Sequence, residues 1–274
     1  MNLLKNNHKN KKATHFFMGK ILSKALIVVL FFMLSPDMIK AQDKSNTQAY
    51  WIHEDRVKPS MISKYEQISK DLVAACNKHN IQNTQWLTVA QDDNTYLYVT
   101  PMKNFSELDV DTFAALGEKM GSENMTKLFS RFNDCYDEHG DYIVYLNKDL
   151  SYMPEGITQH TEGKSYRIFY YHHVSPSNNT NFVEALKKIK KVFVNKNSKM
   201  HYRVYKTGFG MMGNYYMIVV SAANAEEMAK SSRENWEMMK DQFKPLLTEL
   251  NKYTLETNEK TGWMRDDLSY IPKK

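Results

Sequence analysis

The sequence predicts an α+β protein in which one βαββαβ unit is built twice in tandem. Three pairs of segments carry this. Asp149-Leu150-Ser151-Tyr152-Met153-Pro154 recurs as Asp267-Leu268-Ser269-Tyr270-Ile271-Pro272, 118 positions later. Val57-Lys58-Pro59-Ser60 recurs as Val174-Ser175-Pro176-Ser177 at an offset of 117. Thr95-Tyr96-Leu97-Tyr98-Val99 recurs in character as Tyr215-Tyr216-Met217-Ile218-Val219 at 120. Matches in one order at nearly constant spacing mark an internal repeat. The organisation expected is repeat one over 42–155, a linker over 156–163 and repeat two over 164–274.

Each unit opens with an expected strand, 50–57 and 166–174, that ends at a Pro-Ser pair. A helix start suits that pair, because Pro needs no partner for an N–H and Ser can cap free ones. Met61, Tyr65, Ile68, Leu72 and Ala75 then follow helical spacing, as do Phe182, Leu186, Ile189 and Phe193. Two strands joined as a hairpin come next, 85–90 with 96–100, and 200–206 with 215–220. A second helix is expected through Met125, Phe129, Phe132 and Tyr136, matched by Met239, Phe243, Leu246 and Leu250. The Leu-Ser-Tyr-x-Pro segment closes each unit as a short strand, its Pro at an edge or end where no ladder donor is needed.

This order is the split βαβ, or ferredoxin-like, unit. Its sheet has one face under helices and one bare, and a bare apolar face must be buried. On these landmarks, residues 47–274 resemble the dimeric α/β-barrel superfamily in its tandem single-chain form, with NIPSNAP-like and antibiotic-biosynthesis-monooxygenase-like domains as relatives. The resemblance implies two tandem ferredoxin-like repeats with sheets packed face to face as a single-chain dimeric α/β barrel. It also implies a cavity, inside the barrel or between sheet and helices, that takes ligands in some members. Others have no known chemistry.

Gly208-Phe209-Gly210-Met211-Met212-Gly213 matches the dinucleotide fingerprint, but a strand follows it where the pyrophosphate needs a helix N-terminus. A hairpin tip is the expectation. His53-Glu54 begins like a zinc-protease helix, yet position 57 is Val and the segment is a strand. His172 and His173 are adjacent and face opposite sides. A metal would need His53, His173 and His201 gathered across strands, and no metal or cofactor is assigned. Cys76 sits in an apolar helical stripe, which suits a buried thiol.

The unusual feature is amphipathic aromatic strands. Arg167, Phe169, Tyr171 and His173 share one face, as do Trp51, His53 and Asp55, while Arg203 and Tyr205 alternate likewise. Tyr98, Trp51, Tyr171 and Arg203 are expected to point between the sheets, leaving Leu97, Val99, Ile168 and Val204 for the helices. The ligand-binding residues expected are Trp51, His53, Tyr96, Tyr98, Arg167, Tyr171, His173, Arg203 and Tyr205; catalytic residues are unassigned. The plainer reading is that these side chains fill the barrel, their polar tips bonded to one another.

Residues 1–41 read as a signal peptide: Lys20 and Lys24, then an apolar run over 25–34, then Ser35-Pro36 and a small residue at Ala41. The run is shorter than the roughly 20 residues of a membrane span. Met18 competes with Met1 as the start. Of 37 basic and 31 acidic residues, seven lysines and one aspartate lie in 1–41, leaving thirty of each. A nucleic-acid partner would need a basic excess, so none is expected. Cys76 and Cys135 either bond in an oxidising compartment or stay separate buried thiols. The function expected is an exported protein, periplasmic or extracellular, that binds or modifies a small aromatic molecule in the inter-sheet cavity. The alternative is a non-enzymatic periplasmic structural or stress-response module, and whether the chain is an enzyme stays open. No stable membrane insertion is expected after signal cleavage.

Overall fold

The computed structural model describes residues 46–273. The expected signal peptide and the choice of start lie outside the described residues. Eight strands form: β1 Thr47–Val57, β2 Leu87–Gln91, β3 Thr95–Met102, β4 Tyr136–Tyr152, β5 Tyr166–His173, β6 Tyr202–Thr207, β7 Tyr215–Ala222 and β8 Glu256–Met264. Five α-helices accompany them: α1 Ile62–Lys78, α2 Ala114–Met120, α3 Ser122–Ser130, α4 Asn179–Asn195 and α5 Ala225–Lys252.

The strands run in the order β1-β3-β2-β8-β5-β7-β6-β4 and close on β1, each antiparallel to its neighbours. The expected barrel is present, and the two sheets it was expected to pack face to face are hydrogen-bonded at both seams into one closed sheet. Closure removes every edge that an open sheet would leave exposed. Two seams make it: β2 with β8, and β4 with β6.

Both seams are held by the repeated Leu-Ser-Tyr segment. At the β4–β6 seam, Ser151 Oγ accepts from Val204 N at 2.9 Å and donates to Asn147 O at 2.6 Å. At the β2–β8 seam, Ser269 Oγ accepts from Thr88 N and donates to Arg265 O, both at 2.8 Å. Each tyrosine then reaches into the opposite half: Tyr152 Oη donates to Ser198 O at 3.0 Å, and Tyr270 Oη to Ile81 O at 2.6 Å. The leucines, Leu150 and Leu268, are fully buried. Each half thus clasps the other through the same residues.

Glycine permits the close approach. A Cβ on Gly262, in β8, would lie 2.6 Å from the Ala90 carbonyl of β2. Gly210 has φ +91°, and a Cβ there would lie 2.7 Å from Asp141 O. Gly210 belongs to the expected hairpin tip, where Phe209 O accepts from Ile143 N at 2.8 Å. The strand β7 follows that tip, so the glycines serve barrel closure.

Several elements differ from expectation. The second helix of the first half is cut into α2 and α3 at Gly121, whose φ of +84° breaks the helical run. Tyr136, expected on that helix, opens β4. Leu268 ends a short 3-10 turn, Asp266–Leu268, Tyr270 makes one bridge to Trp86, and the pairing strand is β8 upstream. The Pro-Ser pairs form 3-10 turns with Pro in the first positions, and their serines make no capping bond. Cys76 and Cys135 are separate buried thiols, and burial pushes Cys76 up to about 11.

Alternation holds in the second half as expected. Phe169, Tyr171 and Tyr205 face the barrel interior, while Val204 packs under α4 and α5, and Ile168 lies against Met228 of α5. In the first half it is inverted. Leu97 and Val99 face the interior with Tyr50 and Ile52, while Tyr98 packs under α1. Trp51 sits on the same helix-covered side. A one-residue shift of parity sends every side chain of a strand to the other face. Among the described residues no helix is long and apolar enough to cross a membrane.

Replacing Ser151 or Ser269 by Ala leaves a strand N–H without its partner. Each change is expected to cost about 1–3 kcal/mol in chemical denaturation. Val204 N and Thr88 N lie on opposite seams, so the two costs should add within about 0.5 kcal/mol. A neutral result at either serine would remove its role as a clasp.

Candidate ligand site

The cut at Gly121 has a spatial consequence. The roof of the first half is two short helices and the turn after α3, where the second half has one 28-residue helix. Beneath that roof lies a cavity of about 400 Å³. Alternation places Trp51, His53 and Asp55 of β1, Tyr98 and Thr100 of β3, and His139 and Asp141 of β4 along its floor. Leu72, Phe113, Phe129 and Phe132 form the apolar side, and Thr84 and Trp86 the end. The barrel interior, by contrast, leaves about 50 Å³. That is room for a few waters, against the roughly 300–1,000 Å³ of a ligand site.

The floor is polar and charged. His53 lies between two carboxylates: Nδ1 is 3.0 Å from Asp141 Oδ1, and Nε2 is 3.2 Å from Asp55 Oδ1. Burial pulls the imidazole down, but the hydrogen bonds and charges of Asp141 and Asp55 outweigh it and raise its pKa to about 10. Asp141 Oδ1 also accepts from the Trp51 indole at 2.8 Å, and its carboxyl is held low chiefly by His53. Tyr65 Oη donates to Asp55 Oδ2 at 2.6 Å and lies 2.7 Å from Tyr98 Oη, which is 3.2 Å from Ser69 Oγ. Burial first, then the neighbouring Tyr98 and Asp55, holds Tyr65 well above an ordinary phenol. Asp55 is 4% exposed. Among the described residues, Thr84 Oγ1 is a buried side-chain oxygen with no hydrogen-bond partner, and Asp55 Oδ1 has only the 3.2 Å ion pair to His53. Both line this cavity.

Of the nine residues expected to bind ligand, Trp51, His53 and Tyr98 meet here. Tyr96 packs at a tilt against Tyr65 under α1 and donates to Glu66 at 2.7 Å. The other five belong to the barrel. Arg203 donates to Thr158 O at 3.1 Å and Ser221 Oγ at 2.6 Å, and Tyr205 Oη bonds Gln159 Oε1. Arg167 is 1% exposed and bonds the carbonyls of Lys164 and Tyr166. Burial, then the charge of Arg203, pulls it down to about 9. Tyr171 Oη accepts from Gln91 at 2.8 Å, and His173 packs on Tyr215. Gln159, from the expected linker, plugs this end of the barrel and donates to Tyr50 Oη at 3.0 Å.

The structure also corrects the metal trio weighed from sequence. His53, His173 and His201 lie on separate parts of the barrel, with His173 against Tyr215 and His201 against Tyr152. Among the described residues, His53, Asp55 and His139 instead bring one donor atom each within 4.8 Å of the others. His139 was missed because 136 was read as helical, which hid the alternation of β4. His172 and His173 do face opposite ways, His172 against Phe182 beneath α4.

No family model matches the chain, and no curated protein does. Among solved structures, an anthrone oxidase-like protein superposes with a TM-score of 0.54 at 12% identity, over 80% of this chain and 91% of its own. The chain therefore shares that protein's fold, an α+β architecture with an antiparallel sheet. Candidate monooxygenases from Lactobacillus acidophilus (TM-score 0.48, 13% identity, 82% and 97% covered) and Fusobacterium nucleatum subsp. nucleatum (0.49, 12%, 80% and 92%) are looser likenesses.

Arg203 serves the filled interior and not the cavity. Arg203→Ala should lower stability by about 1–3 kcal/mol, by leaving Ser221 and the Thr158 carbonyl unpaired, and should leave ligand affinity unchanged. Thermal melts with and without ligand separate the two effects. A change in affinity at constant stability would return the ligand site to the barrel.

Proposed function

We propose that this protein binds a small hydroxylated aromatic molecule in the cavity between the β1–β3–β4 wall and helices α1 and α3. The observation that carries the reading is the pairing of an aromatic roof with two buried oxygens in one cavity of about 400 Å³: Thr84 Oγ1, which has no hydrogen-bond partner, and Asp55 Oδ1, whose one neighbour is the His53 imidazole. Buried polar atoms are rarely left without partners. A ring system slots between Phe113, Phe129, Phe132 and Trp86, and its hydroxyls meet the two oxygens. Asp55 is the acceptor placed to receive a hydrogen bond from such a hydroxyl. The name of the anthrone oxidase-like protein supports modification of a fused-ring aromatic molecule as the step beyond binding.

Strand order supports two further readings. Each half has its strands in the ferredoxin-like order, β4-β1-β3-β2 and β8-β5-β7-β6, so we read the chain as two tandem copies of that unit. Within the superfamily, NIPSNAP-like and antibiotic-biosynthesis-monooxygenase-like domains are the kin we favour, on the landmarks of the repeat. The alternative, a non-enzymatic structural or stress-response module, draws support from the filled barrel interior. Export is read from residues 1–41: protein made from the full chain should reach the envelope fraction with Gln42 as its first residue. Uncleaved protein in the cytoplasm would end that reading.

Calorimetric titration with 2-naphthol and with cyclohexanol tests the ligand. The protein should bind 2-naphthol at one site and cyclohexanol not measurably. Thr84→Val should weaken 2-naphthol about two- to tenfold, the worth of one hydrogen bond. Thr100→Trp, which fills the cavity from its half-buried rim, should abolish binding. Equal binding of both compounds, or indifference to Thr100→Trp, favours the structural module.

A further inference from the structure

The sequence carries His-x-Asp twice, His53-Glu54-Asp55 and His139-Gly140-Asp141. The two copies lie on neighbouring antiparallel strands with Asp55 opposite His139 and His53 opposite Asp141. Residues two apart on a strand share a face, and directly opposed residues have Cβ atoms about 4.5–5.5 Å apart. The four side chains therefore form a checkerboard on the cavity floor, each histidine beside an aspartate both along and across the sheet.

We propose that His53, Asp55 and His139 hold a divalent transition-metal ion on this floor. Their donor atoms already lie within 4.8 Å of one another. The partners of each group fix which atom is left for a metal. Asp55 is buried, and Tyr65 occupies its Oδ2. Its Oδ1 has His53 Nε2, 3.2 Å away, as its one neighbour and no other hydrogen-bond partner. Two ligands about 2.0–2.1 Å from a tetrahedral ion stand some 3.3 Å apart, so this pair is spaced as one edge of such a site. Asp141 Oδ1 accepts from His53 Nδ1 at 3.0 Å and is itself fixed by the Trp51 indole. That is the carboxylate–histidine arrangement that sets the tautomer of a ligand imidazole and leaves Nε2 free to bind.

Two imidazoles and one carboxylate suit zinc, cobalt or ferrous iron and not calcium or magnesium, which prefer oxygen donors. Three protein ligands leave a fourth position, as in catalytic zinc sites, and here it opens into the cavity. Asp141 is a positioning residue in this account. In the absence of metal the same groups form an ion-paired imidazolium, and that is the competing outcome. The proposal does not depend on what organic molecule enters the cavity, because the ion is tested alone.

The full chain, free of any affinity tag and stripped with chelator, is titrated with zinc chloride, and with cobalt chloride for its visible absorption. One ion per chain is expected, with cobalt bands of a tetrahedral site. His139→Ala should weaken zinc binding at least tenfold; this residue is exposed, so the variant should keep the parent far-UV circular dichroism. Asp55→Asn should do the same, judged only if its spectrum matches the parent. Asp141→Asn should lose about 10–100-fold, as for an outer-shell partner. His173→Ala, at the barrel interior, should change nothing. Absence of zinc binding, or binding unchanged in His139→Ala, overturns the proposal whether or not 2-naphthol binds.

Discussion

The reciprocal clasp of Ser151 with Tyr152 and Ser269 with Tyr270 is the constraint on which the rest of the molecule depends. Each serine hydroxyl completes a backbone ladder across a seam, and each tyrosine ties its own half to the loop after the first helix of the other. Strand register in a closed sheet cannot slip at one place without slipping everywhere, so these contacts set which side chains face inward. In the first half they turn Tyr50 and Ile52 into the barrel, and Trp51, His53 and Asp55 out beneath the helices. The barrel is packed to a remnant of about 50 Å³, and the space that could take a ligand is displaced to the helix side.

The α+β class and the order of the elements were legible because landmark segments and hydrophobic periods recur along the chain. Parity in the first half was misread, although the repeat itself contains the answer. At an offset of 117, Phe169 aligns with Ile52 and Arg167 with Tyr50, and all four line the interior. At 120, Tyr98 aligns with Ile218 and Leu97 with Met217, which again matches the faces observed. Aromatic character pulled the reading the other way, since a tyrosine looks like barrel filling wherever it lies. The role of Gln159 was not legible, because a loop has no period to reveal which residue turns inward.

The two halves of the barrel also differ in chemistry. Beneath α4 and α5 the second half packs Phe182, Leu186, Phe193 and Met239 against its sheet. The same face of the first half carries two histidines and two aspartates under a broken roof. Burying Asp55 and the His53 cation costs desolvation that a hydrophobic replacement would not, and ion pairing repays it only with good geometry. Such clusters concentrate at functional sites, and here two independent features, the roof break at Gly121 and the His-x-Asp pair, fall on one cavity. The candidate site accordingly lies in the first half, whereas closure draws on both.

Whether the occupied space is the first-half cavity is most directly settled by the four tryptophan indoles. Trp51 and Trp86 line the cavity, whereas Trp236 packs against Phe243 and Trp263 against Tyr166. In an ¹⁵N-labelled sample titrated with 2-naphthol, the Trp51 and Trp86 indole N–H resonances should shift and saturate together, with Trp236 and Trp263 unmoved. Saturable shifts at Trp263, with Trp51 and Trp86 unmoved, would contradict the account.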